Sequence, residues 1–267
     1  MPYAIRNGVR LYWEEHGRGE PFFLVMGLSF TLDMWYRITP LLSRNYRVII
    51  FDNRGVGRSD IPKGPYSIGT MTEDAMAVLD AAGVHEPALL LGASMGGMIA
   101  QEMALRYPAR FRSLILGCTT CDPLYRGSWP KWRHSPGFWQ WLRLKGEARE
   151  RAMTRLLYSE TTPLERIEED IRVRATRQPP VRVVLNQLAG ILAWSSYGRL
   201  PNLRIPTLIA HGEHDHILPP ANGRLIARRI PGSEFVLLPD SGHMIVTDQP
   251  EYSVTILEQF LERQRAR

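Results

Sequence analysis

The sequence predicts an α/β fold, with a mostly parallel, twisted sheet, helices on both faces of the sheet and an inserted helical cap. Over the first 121 of the 267 residues, short apolar runs alternate with amphipathic helical patterns, which is typical of parallel strands joined by helices. Residues 122–202 show helical periodicity and no convincing strand. Strand and helix patterns alternate again after residue 203. We therefore predict a core of residues 1–121 and 203–267 and a cap of residues 122–202.

The elements of the core are bounded by apolar runs and by residues that end regular structure. Residues 3–16 alternate in polarity and turn at Asn7-Gly8, a dipeptide typical of tight β-hairpins. Pro108 ends a helix that begins near Met95, because proline donates no helical hydrogen bond. The other predicted strands are 22–25, 47–51, 88–91, 113–117, 207–210 and 234–238, and the other predicted helices are 35–42, 70–82, 221–229 and 250–263.

A sharp strand-to-helix turn is predicted at Gly92-Ala93-Ser94-Met95-Gly96, which fits the pattern G-x-S-x-G. Such a turn holds its serine in a strained conformation and exposes the hydroxyl. The two glycines are needed because the chain passes too close to itself at these positions for a Cβ. The N-terminus of the following helix offers free N–H groups to an oxyanion. Ser94 is therefore the predicted nucleophile.

A serine nucleophile needs a base within hydrogen-bond reach, and the base needs a third group that fixes its tautomer. Both should lie on loops at the carboxyl ends of the parallel strands, the edge where Ser94 lies. Asp215 follows one predicted strand and His243 follows the last one, in the chain order expected for this arrangement. Asp122 also follows a strand, and it remains the alternative acid.

Two backbone N–H groups are predicted to hold the oxyanion that forms during acyl transfer. Met95 follows the nucleophile directly and supplies one of them. Leu28 supplies the other from the loop after the strand 22–25, where Gly27 permits the turn. Because both donors belong to the backbone, neither prediction depends on the chemistry of the side chain.

Three further patterns have both a structural and a functional interpretation. Cys118 and Cys121 are spaced C-x-x-C, but a second pair and a thioredoxin-like unit are missing, so two small buried residues are the favoured interpretation. The histidines within 211–216 fit no zinc spacing. The loop 52–59 lacks the third glycine of a nucleotide-binding loop. We predict no metal and no organic cofactor.

Charge and composition narrow the range of partners. The net charge of +6 is concentrated in residues 122–204, which hold 15 Lys and Arg against 8 Asp and Glu. The signs alternate along the predicted helices, which is typical of solvated faces and not of a nucleic-acid-binding stripe. The chain has no apolar run long enough for a membrane span and no apolar region of a secretion signal near its N-terminus. We expect a cytoplasmic protein with a small-molecule substrate and with no nucleic-acid or membrane partner.

Four segments together resemble the α/β-hydrolase superfamily, over essentially the full length of the chain: Phe51–Ser59, Gly92–Gly97, His211–Asp215 and Ser241–His243. Within that superfamily, the S-M-G-G elbow and the residues that follow it, Met98–Gln101, are similar to 3-oxoadipate enol-lactonases and related methylesterases. Many relatives have His-Gly in the oxyanion loop where this chain has Met26-Gly27, which keeps the backbone donor but removes a polar side chain. Haloalkane dehalogenases and epoxide hydrolases of this fold use an aspartate nucleophile, and Ser94 argues against both.

The predicted activity is that of a serine hydrolase, which cleaves a carboxylic ester or lactone through an acyl-enzyme on Ser94. Similar elbows also serve carbon–carbon bond hydrolases and cofactor-free haloperoxidases, and a ligand receptor with little turnover could keep the fold. Five of the seven tryptophans lie in residues 122–202 together with the basic excess, which indicates an apolar substrate that can be anionic. The residues predicted to bind the substrate are Met26, Trp129, Trp139, Trp194 and Met244.

Overall fold

The computed structural model describes residues 3–125 and 136–265 and contains an eight-stranded sheet. Its strands are β1 (Tyr3–Arg6), β2 (Val9–His16), β3 (Glu20–Val25), β4 (Tyr46–Phe51), β5 (Ala88–Ala93), β6 (Phe111–Gly117), β7 (Thr207–Gly212) and β8 (Glu234–Leu238). They lie in the order β1-β2-β4-β3-β5-β6-β7-β8. The pairs β1/β2 and β2/β4 are antiparallel, and the other neighbouring pairs are parallel. The mostly parallel sheet is therefore confirmed, and the strands from β3 to β8 end at one common edge.

The hairpin between β1 and β2 is confirmed in detail. Asn7 and Gly8 have φ angles of 49° and 77°, and Arg6 pairs with Val9 across the turn. Positive φ at both central residues is the geometry that a two-residue hairpin of this twist requires, and asparagine and glycine adopt it at low cost.

Helices cover both faces of the sheet. The helices are α1 (Thr39–Leu42), α2 (Ile68–Ala81), α3 (Met95–Arg106), α4 (Pro136–Arg143), α5 (Gly146–Arg151), α6 (Thr154–Leu157), α7 (Leu164–Ala175), α8 (Val181–Leu192), α9 (Ala221–Arg229), α10 (Ile245–Asp248) and α11 (Pro250–Arg265). Buried residues of α2, α3 and α9 pack on one face, and those of α1 and α11 pack on the other. None of the described helices is long and apolar enough to cross a membrane.

The strands are apolar along their whole length because both of their faces are covered. In β5, Leu89 and Leu91 belong to the apolar cluster that contains Phe260 of α11. Leu90, between them, belongs to the cluster that contains Ile99 of α3. Successive side chains of a strand point to opposite faces, so a strand between two helical layers needs an apolar residue at each position.

The helix predicted over 35–42 is wrong in its first half. The chain forms a 3₁₀ turn at Leu32–Trp35, and α-helical structure begins only at Thr39. Pro40 explains the difference. Its ring clashes with the carbonyl four residues earlier and it has no N–H, so it can occupy only the first turn of a helix.

The described part of residues 122–202 contains helices, from α4 to α8, and no strand. Its two ends meet at the core: the Ser196 N–H donates to the Cys121 carbonyl at 2.8 Å, and the Ser196 hydroxyl donates to Gln101 Oε1 at 2.8 Å. Phe138 and Trp141 of α4 pack in the same apolar cluster as Met26 in the loop after β3. The division of the chain into core and cap at these boundaries remains a prediction.

Candidate active site

Ser94 lies between the end of β5 and the start of α3, with φ 55° and ψ −122°. A serine with positive φ is strained, and it persists only where the surroundings hold it. Here the Ser94 N–H donates to the Gly117 carbonyl at 2.9 Å. The Ser94 carbonyl accepts from the Gly97 N–H at 2.9 Å and from Thr119 Oγ1 at 2.7 Å. Three hydrogen bonds to neighbouring elements therefore fix the sharp turn that the sequence predicts.

The two glycines of the turn occupy positions that no side chain could fill. A Cβ on Gly96 would overlap the carbonyl of Val25 in β3. A Cβ on Gly92 would overlap the Gly96 carbonyl and the Ala100 side chain of α3. The close approach of β3, β5 and α3 is what places Ser94 at the edge of the sheet, beside the loop that follows β3.

Asp215 and His243 come together from the loops after β7 and β8. His243 Nδ1 lies 2.8 Å from Asp215 Oδ2, and both side chains are buried. The other carboxylate oxygen, Oδ1, accepts from the N–H groups of Ile217 at 2.9 Å and Leu218 at 2.8 Å. These bonds hold the carboxylate in one orientation, with one oxygen turned to the imidazole.

Burial alone would raise the pKa of Asp215, but the charge of His243 and hydrogen bonds from His211 and His243 outweigh it and hold the pKa well below its usual range. The carboxylate is therefore ionised and can only accept hydrogen bonds. It follows that His243 Nδ1 carries the proton in this pair. In the neutral imidazole the lone pair is then on Nε2, which is the tautomer that a general base requires.

Ser94 and His243 line the same cavity at the carboxyl edge of the sheet. Met26, Leu28 and Met244, which the sequence predicts at the site, line it as well. The rest of the lining is mainly apolar, and its large side chains include Phe138, Trp141, Met153, Leu157, Leu188 and Ile217. The cavity therefore places a mainly apolar space beside the serine and the imidazole.

The backbone N–H groups of Leu28 and Met95 donate to no other group in the part of the chain that the structure describes. Gly27 brings the Leu28 loop close to the nucleophile, since a Cβ on Gly27 would lie 3.0 Å from the Ser94 Cβ. The loop is anchored on both sides: Asn53 Nδ2 donates to the Met26 carbonyl at 2.9 Å, and Gln187 Oε1 accepts from the Ser29 N–H at 3.0 Å.

The alternative acid, Asp122, forms its hydrogen bonds with residues other than His243. Its carboxylate accepts from the Leu124 N–H at 2.9 Å and from the Ser195 hydroxyl at 3.1 Å. His243 is bonded to Asp215 and not to Asp122. The geometry thus favours the acid that the loop position predicts.

Within the described residues, one group of side chains is close enough to hold a metal ion: ligand atoms of Cys118, Asp215 and His243 lie within 4.8 Å of one another. Asp215 and His243 are already bonded to each other, and burial raises the pKa of the Cys118 thiol well above its usual value. A protonated thiol is a poor ligand, so this group fits a hydrogen-bonded pair better than a metal site. Cys118 and Cys121 are both free and buried.

The tryptophan predictions are corrected by the packing of the helices. Trp139 is 51% exposed and lies outside the lining of the cavity, whereas Phe138 and Trp141 line it. Residues three apart share a helix face and residue 139 points elsewhere, so the apolar period of α4 carried the signal. Trp194 is also outside the lining, and its Nε1 donates to Glu102 at 2.9 Å. Trp129 lies outside the described residues.

Local sequence patterns did not reveal two buried polar residues next to the site. His211 Nε2 donates to the Leu218 carbonyl at 2.7 Å and also lies 3.3 Å from Asp215 Oδ2, so the imidazole packs directly beside the carboxylate. Gln187 reaches the oxyanion loop from α8, 158 positions along the chain. The sequence offers one indication that His211 lies near the site, which is its position directly after the apolar run of β7.

Comparisons with known proteins agree with this fold. A family model described as alpha/beta hydrolase fold matches residues 16–250. The chain is 33% identical over 257 residues to RutD of Azorhizobium caulinodans, provisionally named a carbamate hydrolase, with 94% of each chain covered. It is 30% identical over 256 residues to the pimeloyl-[acyl-carrier protein] methyl ester esterase of Aeromonas hydrophila, with 93% of this chain and 98% of that one covered.

Among solved structures, the enol-lactonase from Burkholderia xenovorans LB400 superimposes with a TM-score of 0.82 at 25% identity, over 98% of this chain and 100% of that one. The resemblance to enol-lactonases and methylesterases, carried by the elbow and the residues after it, is confirmed. With a family match over most of its length and relatives that include an esterase and a lactonase, the chain belongs to the α/β-hydrolase family.

Proposed function

We propose that the protein is a serine hydrolase that cleaves a carboxylic ester or lactone through an acyl-enzyme. The observation that carries the proposal is the Asp215–His243 pair, 2.8 Å apart, which shares one apolar cavity with the strained Ser94. Relatives named as a methyl ester esterase and an enol-lactonase support the same reaction class.

In the proposed reaction, Ser94 Oγ attacks the substrate carbonyl while its proton passes to His243 Nε2. Asp215 stabilises the imidazolium that forms and keeps the ring oriented. The N–H groups of Leu28 and Met95 hold the oxyanion of the tetrahedral intermediate. His243 then gives the proton to the leaving alkoxide, which stays attached to the acyl group when the substrate is a lactone.

Deacylation repeats these steps with water as the nucleophile. His243 takes a proton from the water, the hydroxide attacks the acyl carbonyl, and the serine leaves with the proton. No step needs a group beyond these residues and water. We further propose that residues 122–202 act as the cap of this site, because side chains from α4, α6 and α8 line the cavity.

The test compares hydrolysis of p-nitrophenyl acetate and butyrate by the wild type and by Ser94→Ala. We expect kcat/KM to fall by about a thousandfold or more in the variant, since the nucleophile is lost while the oxyanion donors remain. Equal activity in the two proteins would refute the role of Ser94. If the wild type cleaves no ester or lactone in a panel, a set of diketones would test carbon–carbon hydrolysis instead.

A further inference from the structure

Arg174 of α7 brings a buried positive charge to the wall of the cavity that holds Ser94 and His243. Its residue surface is only 6% exposed. Of the lining residues that the structure describes, it is the one with a permanent charge, and nearly all of its neighbours in the lining are apolar. A purely apolar substrate would gain nothing from a guanidinium at this place.

No described residue accepts a hydrogen bond from this guanidinium. Nε, Nη1 and Nη2 of Arg174 are buried and make no hydrogen bond to any residue in 3–125 or 136–265. The partner charge is Glu150, whose Oε2 lies 3.5 Å from Arg174 Nε, beyond ordinary hydrogen-bond distance. The Phe30 and Tyr158 rings pack against the guanidinium, with centroids at 5.2 and 5.7 Å.

Another buried arginine of this fold, Arg54, has hydrogen-bond acceptors around its guanidinium. Arg54 is 3% exposed, and it donates to both carboxylate oxygens of Asp74 at 2.5 and 2.7 Å and to the Pro65 carbonyl at 2.8 Å. A buried guanidinium without such bonds is costly, because five N–H donors lose water and gain no acceptor. Arg174 therefore offers hydrogen-bond donors for which no described residue supplies an acceptor.

The charge around Arg174 has a positive excess. Arg149, which is also buried, stacks on Trp141 at 4.8 Å, and its Nε and Nη2 make no hydrogen bond to a described residue. Arg149, Arg174 and Arg177 line a small second cavity with Glu150 as its acidic side chain, which leaves two uncompensated positive charges among its lining residues. An anionic group of the substrate would complement this charge.

We propose that Arg174 binds a carboxylate carried by the substrate, so that the preferred substrate is an ester or lactone with a free carboxylate at a distance from the scissile carbonyl. A carboxylate accepts two parallel hydrogen bonds from a guanidinium, which neither water nor a neutral ester group reproduces. This inference rests on the proposed function, because it names the substrate class of the same cavity.

The first test uses substrate pairs that differ only in charge: the monomethyl and dimethyl esters of succinate, glutarate and adipate. For the chain length that fits, we expect the wild type to prefer the monoester by at least about tenfold in kcat/KM, the size of a charged hydrogen bond. Equal kcat/KM for monoester and diester at every chain length would overturn the proposal, and this comparison needs no variant.

Variants then assign the preference to one side chain. Arg174→Met should lower the monoester-to-diester ratio of kcat/KM by about 10- to 100-fold, mainly through KM of the monoester, and Arg174→Lys should restore part of it. Arg172→Met, an exposed arginine on the same helix, is the matched control and should keep the wild-type ratio. A ratio that changes equally in both Met variants would contradict the assignment.

A binding measurement separates the subsite from the reaction. Ser94→Ala should bind glutarate or adipate in calorimetry, and the double variant Ser94→Ala/Arg174→Met should lose that binding. Binding that depends on Arg174 in a protein whose wild type cleaves no ester would leave the subsite standing and refute the proposed function. Ester cleavage without any dicarboxylate binding by Ser94→Ala would do the reverse.

Discussion

The substitution Asp215→Asn separates the two jobs of this carboxylate, which are to hold the loop and to set the tautomer of the imidazole. The two backbone N–H groups at 2.9 and 2.8 Å from Oδ1 require an oxygen there, so the new NH₂ group must face His243. An NH₂ group can only donate, and His243 Nδ1 must then accept. The proton moves to Nε2, where it blocks the transfer from Ser94.

We expect a fall in kcat of about 10⁴-fold, which corresponds to about 5 kcal/mol of lost transition-state stabilisation, with little change in KM. The same NH₂ group also faces His211, whose Nε2 lies 3.3 Å from the oxygen that is replaced. Two hydrogen-bond donors then face each other, so the free energy of unfolding should also fall by about 1–3 kcal/mol. Steady-state hydrolysis of p-nitrophenyl butyrate and urea unfolding measure the two effects separately.

Asp122→Asn is the matched control, because its side chain follows the neighbouring strand β6 but bonds to Leu124 and Ser195. We expect kcat within a few-fold of the wild type. If Asp215→Asn kept kcat within tenfold of the wild type, or if Asp122→Asn lost as much as Asp215→Asn, the tautomer argument would fail.

Two further predictions concern stability and the cavity wall. Burial raises the pKa of Asp248 to about 6, although hydrogen bonds from Thr162 and the Gly242 N–H act to lower it. The folded state therefore binds the carboxyl proton more tightly than the unfolded state does, and the free energy of unfolding falls as the pH rises from about 4 to 6. Asp248→Asn should remove up to about 3 kcal/mol of that pH dependence in urea unfolding, and an unchanged slope would count against the raised pKa. Trp141→Ala should lower the free energy of unfolding by about 3–5 kcal/mol and change the preference for acyl chain length, since Trp141 is buried on the cavity. Trp139→Ala, on the same helix but 51% exposed, should cost less than about 1 kcal/mol, and equal losses would show that the two side chains are packed alike.

The sequence predicts those parts of the fold and site that depend on neighbours in the chain. The strands follow from apolar runs, the turn at Ser94 follows from its glycines, and Asp215 and His243 follow from their places after strands. Pro40 carried a local signal too, and the helix predicted through it ignored the clash that its ring makes.

The remaining features depend on contacts between distant segments. The hydrogen bond from the Ser29 N–H joins residues 158 positions apart, and the ring contact between Phe30 and Arg174 spans a similar separation. No periodicity or spacing near either residue encodes such a contact. The prediction of Trp139 instead of Trp141 is wrong because composition alone does not give the phase of a short helix, which the spacing of residues 138 and 141 does indicate.

The hydrogen bond between Ser196 and Cys121 has a consequence for protein engineering. The Ser196 nitrogen and the Cys121 oxygen lie 2.8 Å apart, so the helices between these residues form an excursion whose ends are close together. The excursion also contacts the core elsewhere, because Gln187 accepts from the Ser29 N–H and Thr162 bonds to Asp248. Ser94, Asp215 and His243 all lie outside that excursion. Another helical segment could be grafted there if its ends meet at the same spacing and if it replaces these two contacts with the core. Such a graft would exchange the residues of α4, α6 and α8 that line the cavity, while Ser94, Asp215 and His243 stay in the sequence that is kept.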